Sequence, residues 1–292
     1  MLATVALIWG ASFMFIKIAD RELAPATLIV GRLGSAALTL AVVAAIWHGP
    51  RRTLVELRDS WRWLVVVALV NTAIPFWLLA WGETRIDSGL ASIIQGAVPI
   101  FNALIAFAFF REVRVTGLRL VGLAVGFVGV ALLVGAQPEG KVLGALAVVG
   151  MALGYATGGH LAARHLQATP PLVVTLASTG IACLVWLPAA VAEAPAHVPS
   201  GETITAVLAL GVPGTAFAYL LFYALVLRAG ASYASLVTYL IPPIALAYGA
   251  VFLGETFGAA AFAALALILG GVALATGARL PLRIRRRLAS ES

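Results

Sequence analysis

Asn71-Thr72-Ala73-Ile74-Pro75-Phe76-Trp77-Leu78 opens a segment running to Glu112, and Gly214-Thr215-Ala216-Phe217-Ala218-Tyr219-Leu220-Leu221 opens its counterpart, 143 positions on, running to Glu255. Aligned without a gap, the two share Thr72/Thr215, Ala73/Ala216, Leu78/Leu221, Arg85/Arg228, Ala91/Ala234, Ser92/Ser235, Pro99/Pro242, Phe109/Phe252 and Glu112/Glu255. One residue of slip then brings Gly129-Val130-Ala131-Leu132 onto Gly271-Val272-Ala273-Leu274. The chain is a diverged duplication, with expected units at 1–137 and 138–279 and a basic tail at 280–292. Fused membrane halves that each hold an odd number of spans must face opposite ways, which is the architecture of alternating-access carriers.

Composition places the chain in a membrane. Apolar residues make up 62% and charged ones 11%, against roughly half and a quarter in soluble domains, and the mean hydropathy is +1.04. Apolar windows long enough to cross a hydrocarbon core of about 30 Å as helix fall near 2–20, 25–47, 62–82, 88–110, 115–135, 142–163, 171–191, 203–227, 232–253 and 258–278. The expected fold is an all-α integral membrane protein with ten transmembrane helices as two inverted five-helix repeats. Runs such as Ala124 to Val134 lack the two-residue alternation of a membrane barrel. The first segment lacks a basic start and a cleavage pattern, so it reads as a retained helix and not a signal peptide.

Basic residues set the expected orientation. With the N-terminus inside, fourteen cations lie at cytoplasmic ends, from Arg51, Arg52, Arg58 and Arg62 to Arg283, Arg285, Arg286 and Arg287, and only Arg21, Arg85 and Lys141 lie opposite. Both termini are therefore expected in the cytoplasm of a bacterial inner membrane. The net charge of +7 is topological: no nucleic-acid partner is expected, and the tail suits anionic lipid headgroups. The longest connections, His48 to Trp61 and Ala192 to Glu202, leave no room for a catalytic domain. Cys183 is the single cysteine, which excludes a disulfide or thiolate metal site within the chain. No phosphate loop, zinc helix or nucleophile elbow occurs; neither enzyme activity nor a cofactor is expected.

The chemistry concentrates on the fourth helix. Ser88, Ser92, Gln95, Pro99 and Asn102 step by four, three, four and three, on one helical face. The repeat puts Ala231, Ser235, Thr238, Pro242 and Ala245 on the same face of the ninth helix. Each proline frees one backbone carbonyl, of Gln95 or Thr238, near mid-membrane. For Ser92 and Ser235, helix packing through small residues is as good a reading as a cavity. The amides of Gln95 and Asn102 are costlier to bury without partners and favour a cavity. Aromatic residues away from the interfaces form a second set: Trp9, Trp77, Tyr155, Tyr219 and Tyr223, with Ser12, Asn71, Thr215 and Phe76 near them in helical register. As a group they suit an amphipathic solute held by stacking and a few hydrogen bonds.

All twelve acids fall in loops or near helix ends, so no mid-membrane carboxylate is expected to carry protons. The expectation is therefore transport without proton coupling. Lys17 and Arg32 read as snorkelling or as paired with Asp20, Glu22, Glu83 or Asp87; a carboxylate-binding role for Arg32 is the alternative. Glu112 and Glu255 read as caps at helix N-termini. Gly117, Gly122, Gly126, Gly129, Gly270 and Gly271 read as close helix packing within a monomer, with a homodimer contact as the alternative.

Trp9-Gly10-Ala11-Ser12-Phe13, Pro99 with Phe110-Arg111-Glu112-Val113, Gly126-Phe127-Val128-Gly129-Val130, and in the second copy Pro242, Leu253-Gly254-Glu255 and Gly270-Gly271-Val272 resemble the EamA-type branch of the drug/metabolite transporter superfamily over nearly the whole chain. The resemblance implies two inverted five-helix bundles and a central cavity lined by helices one, three, four, six, eight and nine. It also implies export of small metabolites, closest to bacterial exporters of amino acids, aromatic ones included. The residues expected to contact substrate are Trp9, Ser12, Asn71, Trp77, Ser92, Gln95, Pro99, Asn102, Tyr155, Tyr219, Tyr223, Ser235, Thr238 and Pro242. A multidrug efflux carrier and a passive channel or lipid scramblase are the other readings.

Overall fold

A computed structural model describes residues 1–110, 117–138 and 141–276. The expectations about Glu112, the motif around it and the basic tail lie outside these. The described residues are helical, with no strand. Eight helices are long and apolar enough to cross a membrane: α1 (Leu2–Ala19), α2 (Pro25–Trp47), α3 (Pro50–Glu83), α4 (Ser88–Ala108), α5 (Leu118–Gly135), α6 (Val142–His165), α7 (Pro171–Ala192) and α8 (Gly201–Ala229). Two shorter apolar helices complete the set, α9 (Val237–Leu253) and α10 (Ala259–Thr276). Leu38, Val42 and Ile46, four apart on α2, are 72%, 59% and 72% exposed. In water such a stripe is a liability; against lipid tails it is the expected outer face of a multi-span protein.

The packing repeats under exchange of the halves. α1 lies against α8 and α9, as α6 lies against α3 and α4; α2 pairs with α7, and α5 with α10. The α5–α10 seam is built on glycine. A methyl on Gly271 would stand 2.6 Å from the Gly122 carbonyl oxygen and 2.7 Å from Gly126 Cα, and one on Gly129 would stand 3.0 Å from Leu267 Cβ. The expected close contact is therefore made within one chain. Gly117 and Gly270 take no part, with nothing near their Cβ positions.

Three local departures from the sequence reading have physical causes. The stretch His48 to Trp61 is not an extended connection. After a turn at Gly49, whose φ of 86° suits a residue without a side chain, Pro50 starts a helix of 34 residues. That is about 51 Å at 1.5 Å per residue, longer than the hydrocarbon core. Arg52 pairs with Glu56 one turn on at 3.2 Å, and His48 lies 2.7 Å from the same carboxylate, so the amphipathic start of α3 stays helical.

The second departure is that the two proline-marked helices are not alike. α4 is broken at Gly96-Ala97, where Pro99 stands in the first turn of the second segment, free of any donor requirement. α9 instead carries Pro242 and Pro243 inside an unbroken helix, and a separate turn at Ala231–Ala234 precedes it, so α9 begins later than expected. The two bends meet: a methyl on Gly96 would stand 3.1 Å from Pro242 Cγ.

Third, α3 and α8 each contain a π-helical turn, Ala68–Ala73 and Val212–Phe217, within one residue of the repeat register. An i→i+5 turn adds a residue to the helix and rotates the turns C-terminal to it, and such turns concentrate at functional sites.

Candidate functional site

Both π-helical turns border a cavity of about 220 Å³ at the centre of the bundle. It is lined by Trp9, Ser12, Phe13 and Ile16 of α1, Arg32 of α2, Asn71, Phe76 and Leu79 of α3, Gln95 and Val98 of α4, Tyr155 of α6, Gly214 and Tyr219 of α8, and Thr238 and Ile241 of α9. Helix two thus joins the six that the resemblance implies. Of the residues expected to contact substrate, Trp9, Ser12, Asn71, Gln95, Tyr155, Tyr219 and Thr238 line the cavity together.

Trp77, Ser92, Pro99, Asn102, Tyr223, Ser235 and Pro242 do not. Trp77 is sandwiched between Trp81 and Trp186, with ring centroids 6.0 and 5.1 Å away, facing α7. Ser92 is fully buried and donates to the Gly89 carbonyl at 2.6 Å, the local back-bonding typical of serine in membrane helices. Tyr223 stacks behind Tyr219 at 6.0 Å and shares a 3.2 Å hydrogen bond with Thr175 of α7. Pro242 is buried against Gly96. Pro99, Asn102 and Ser235 lie outside the lining.

The cavity walls are aromatic. Trp9 meets Tyr219 edge-on at 5.7 Å, and Phe76 meets Tyr155 edge-on at 6.1 Å. Between them stands Arg32, 6% exposed. Its Nε donates to Thr215 Oγ1 at 3.1 Å, and its guanidinium carbon lies 4.5 Å from the centre of the Phe76 ring. No carboxylate lies within ion-pair distance of Arg32 among the described residues, and its remaining donors have no protein acceptor there. Arg32 does not snorkel. Serine and glycine around it, Gly31 against Val207 and Ser35 against Gly211, bring α2 close enough to α8 to hold it inward.

The side-chain amides of Asn71 and Gln95 likewise have no hydrogen-bond partner among the described residues. Asn71 reaches the cavity because Gly158 of α6 gives it room, a methyl there standing 2.8 Å from Asn71 Oδ1. What the site offers is one fixed cation, two amides, phenolic and hydroxyl groups, and large apolar faces.

A second polar layer sits one turn beyond the cavity on α1 and α3 and two turns from Gln95 on α4. Along α1, Ser12 and Ile16 lead to Asp20, and Phe13 leads to Lys17; along α3, Phe76 and Leu79 lead to Glu83; along α4, Gln95 leads back to Ser88. Lys17 Nζ donates to the carbonyls of Glu83 and Ile86 and lies 3.6 Å from Asp20 Oδ2. Glu255 accepts from Ser88 N at 2.8 Å, Ser88 Oγ at 3.0 Å and Gly89 N at 3.1 Å. It caps a helix, as expected, but the helix is α4 of the other half, not the α10 that succeeds it in the chain. Gly254 makes this reach possible by ending α9 with a φ of 68°. Glu83 is 0% exposed, and neither of its carboxylate oxygens has a partner among the described residues. A helix-end position, which in the sequence reads as interfacial, is here buried, because α3 and α6 close on each other through Gly82 and Gly144.

Known proteins agree with this architecture. A model of the EamA-like transporter family matches residues 1–135 and again 142–277. A probable terminal-alkyne amino-acid exporter of Streptantibioticus cattleyicolor is 30% identical over 91% of this chain and 89% of that protein. A probable amino-acid metabolite efflux pump of Salmonella typhimurium is 26% identical over 92% of this chain and 91% of that protein. A crystal structure at 20% identity superposes with a TM-score of 0.67 over 94% of this chain and 95% of that one, which shows the shared fold. With a doubled family match, multi-span helices and a central cavity, the chain belongs to the EamA-like transporter family and is a multi-pass membrane transporter of small molecules.

Proposed function

We propose that the chain exports amino acids, chiefly those with aromatic or other large apolar side chains, across the bacterial inner membrane by alternating access. The observation that carries this reading is Arg32. A guanidinium that is 6% exposed and has no carboxylate beside it is costly to bury. A substrate carboxylate would satisfy it with charge-assisted hydrogen bonds. The aromatic walls take an apolar side chain, and the amide oxygens of Asn71 and Gln95, with the face of Trp9, take an ammonium. A cavity of about 220 Å³ is smaller than the roughly 300–1,000 Å³ of drug-sized sites. A fixed positive charge also disfavours the cationic drugs of the multidrug reading. The names of the two relatives point to the same solute class. The break in α4 at Gly96-Ala97, packed against Pro242 of the unbroken α9, is where the halves would rock.

Purified protein in liposomes preloaded with unlabelled phenylalanine tests this. Saturable uptake of radiolabelled phenylalanine, tryptophan or leucine, lost in Arg32→Gln and resistant to a quaternary ammonium competitor, is the expected result. Equal uptake by wild type and Arg32→Gln, or no uptake of any amino acid, overturns it.

A further inference from the structure

Glu83 stands one turn beyond Leu79 on the cavity stripe of α3, fully buried, with neither carboxylate oxygen partnered among the described residues. The charges that reach it are the cations Lys17 and Arg32 and the anions Asp20 and Glu255. Lys17 is committed to two backbone carbonyls and to Asp20, and Glu255 to the N-terminus of α4. Lys17 is paired with Asp20, and Glu255 is held at the α4 N-terminus, so an ionised Glu83 would be a further anion with no donor of its own. A buried carboxylate without partners takes up a proton in preference to remaining charged. Acids placed this way in membrane helices mark ion and proton paths.

We propose that Glu83 is a proton-binding site of this carrier. Its carboxyl group holds a proton while the layer of Lys17, Asp20 and Glu255 is closed over it, and gives that proton to water, leaving carboxylate and hydronium, when the layer opens. Arg32 links this site to the cavity, since it attracts either carboxylate and an ionised Glu83 competes with that of the substrate. The proposal revises the uncoupled mechanism expected from sequence. It rests on the carrier reading only in that the layer opens during transport, not on which solute is carried.

The first measurement is the infrared carboxyl band of the full-length protein in liposomes, recorded from acid to alkaline pH with isotopically labelled glutamate. A buried protonated carboxyl that shifts with the label and is lost in Glu83→Gln, but kept when the exposed Glu202 is changed in Glu202→Gln, is expected. Absence of that band at every pH, or its survival in Glu83→Gln, overturns the proposal. Should Glu83→Gln not fold, Glu83→Asp decides, since its buried carboxyl band no longer shifts with the glutamate label. The second measurement is transport: whatever its rate of exchange, Glu83→Gln should lose all response to an imposed pH gradient, a response that Glu202→Gln keeps. A response that persists, or one that requires sodium in place of protons, overturns the proposal. If no amino acid is carried, the substrate assignment fails while the infrared result stands.

Discussion

Arg32 and Thr215, 183 residues apart and in opposite halves, meet through a 3.1 Å hydrogen bond from Nε to Oγ1. Thr215 lies in the π-helical turn of α8 and itself donates to the Leu210 carbonyl at 2.8 Å, five residues back. The turn therefore aims a hydroxyl at the guanidinium, and Phe76 fixes its other face at 4.5 Å. Thr215→Val keeps the shape and removes the acceptor. A charge-assisted bond contributes about 1.5–3 kcal/mol, so the half-saturating amino acid concentration should rise about tenfold or more, at 1.4 kcal/mol per tenfold. Arg32→Lys should do the same, because an ammonium cannot hold the hydroxyl, the ring and a carboxylate together. Unchanged concentration curves for both variants would remove Arg32 from the binding site.

The α5–α10 seam gives a prediction about stability that transport does not enter. A methyl on Gly271 meets the backbone of Gly122 and Gly126, whereas one on Gly270 has nothing within 4 Å. Gly271→Val should lower stability by at least the 1–3 kcal/mol typical of overpacking, visible as a fall in Tm in detergent. Gly270→Val, one position along, should melt within a degree or two of wild type. Equal melting of the two would mean that the seam is not where the halves are joined.

What could be read from the sequence was what helical periodicity and duplication encode. The polar step of Gln95 and the spacing of Tyr219 on its helix put these residues on the cavity faces, whereas the repeat marked both prolines without showing that only α4 breaks. What could not be read depends on the register between helices. Arg32 inside an apolar run reads equally as a snorkelling side chain, and only its depth beside Thr215 separates the two. The same holds for Glu83, a helix-end acid until Gly82 and Gly144 bury it. Ser92 and Gln95 differ by less than one turn, yet one bonds its own helix and the other faces the cavity. The π-helical turns leave no mark on a 3.6-residue pattern, and the one in α3 shifts the register just before Trp77, whose ring stacks on Trp186 of α7.

Acid should weaken the junction between the α1–α2 turn and α8. Glu22 accepts from Ser200 N at 2.7 Å, and Ser200 caps α8 through Thr203 N. The Ser200 hydroxyl and then its backbone N–H hold the Glu22 carboxyl below its ordinary pKa of 4.5. A carboxyl whose pKa is lower folded than unfolded stabilises above the unfolded value, and the contribution disappears as pH falls through the folded one. Wild type should therefore lose a little Tm as pH drops below about 4.5, and Glu22→Gln, lower at neutral pH, should lose less over the same range. The neighbouring Arg21–Glu202 pair at 3.8 Å is exposed on both sides and should contribute almost nothing. Identical acid profiles for wild type and Glu22→Gln would show that this contact does not hold α8.

Glu255 and Gly249 should behave as one unit. A methyl on Gly249 would stand 3.1 Å from the Glu255 carboxyl carbon and 3.2 Å from Ser88 Oγ, so Gly249→Ala displaces the carboxylate from the α4 N-terminus without touching its charge. Glu255→Gln keeps the shape and removes the charge that favours the helix dipole, worth about 0.3–2 kcal/mol in partly buried settings. Each variant alone should lower Tm and speed modification of a cysteine introduced at Leu90, in a Cys183→Ser background, by a reagent added from the side that this layer closes. The double variant should be no worse than the poorer single one, because contacts that share a partner do not add. Additive effects would mean that Gly249 matters for α4–α9 packing alone, and that the carboxylate of Glu255 does not close this end of the cavity.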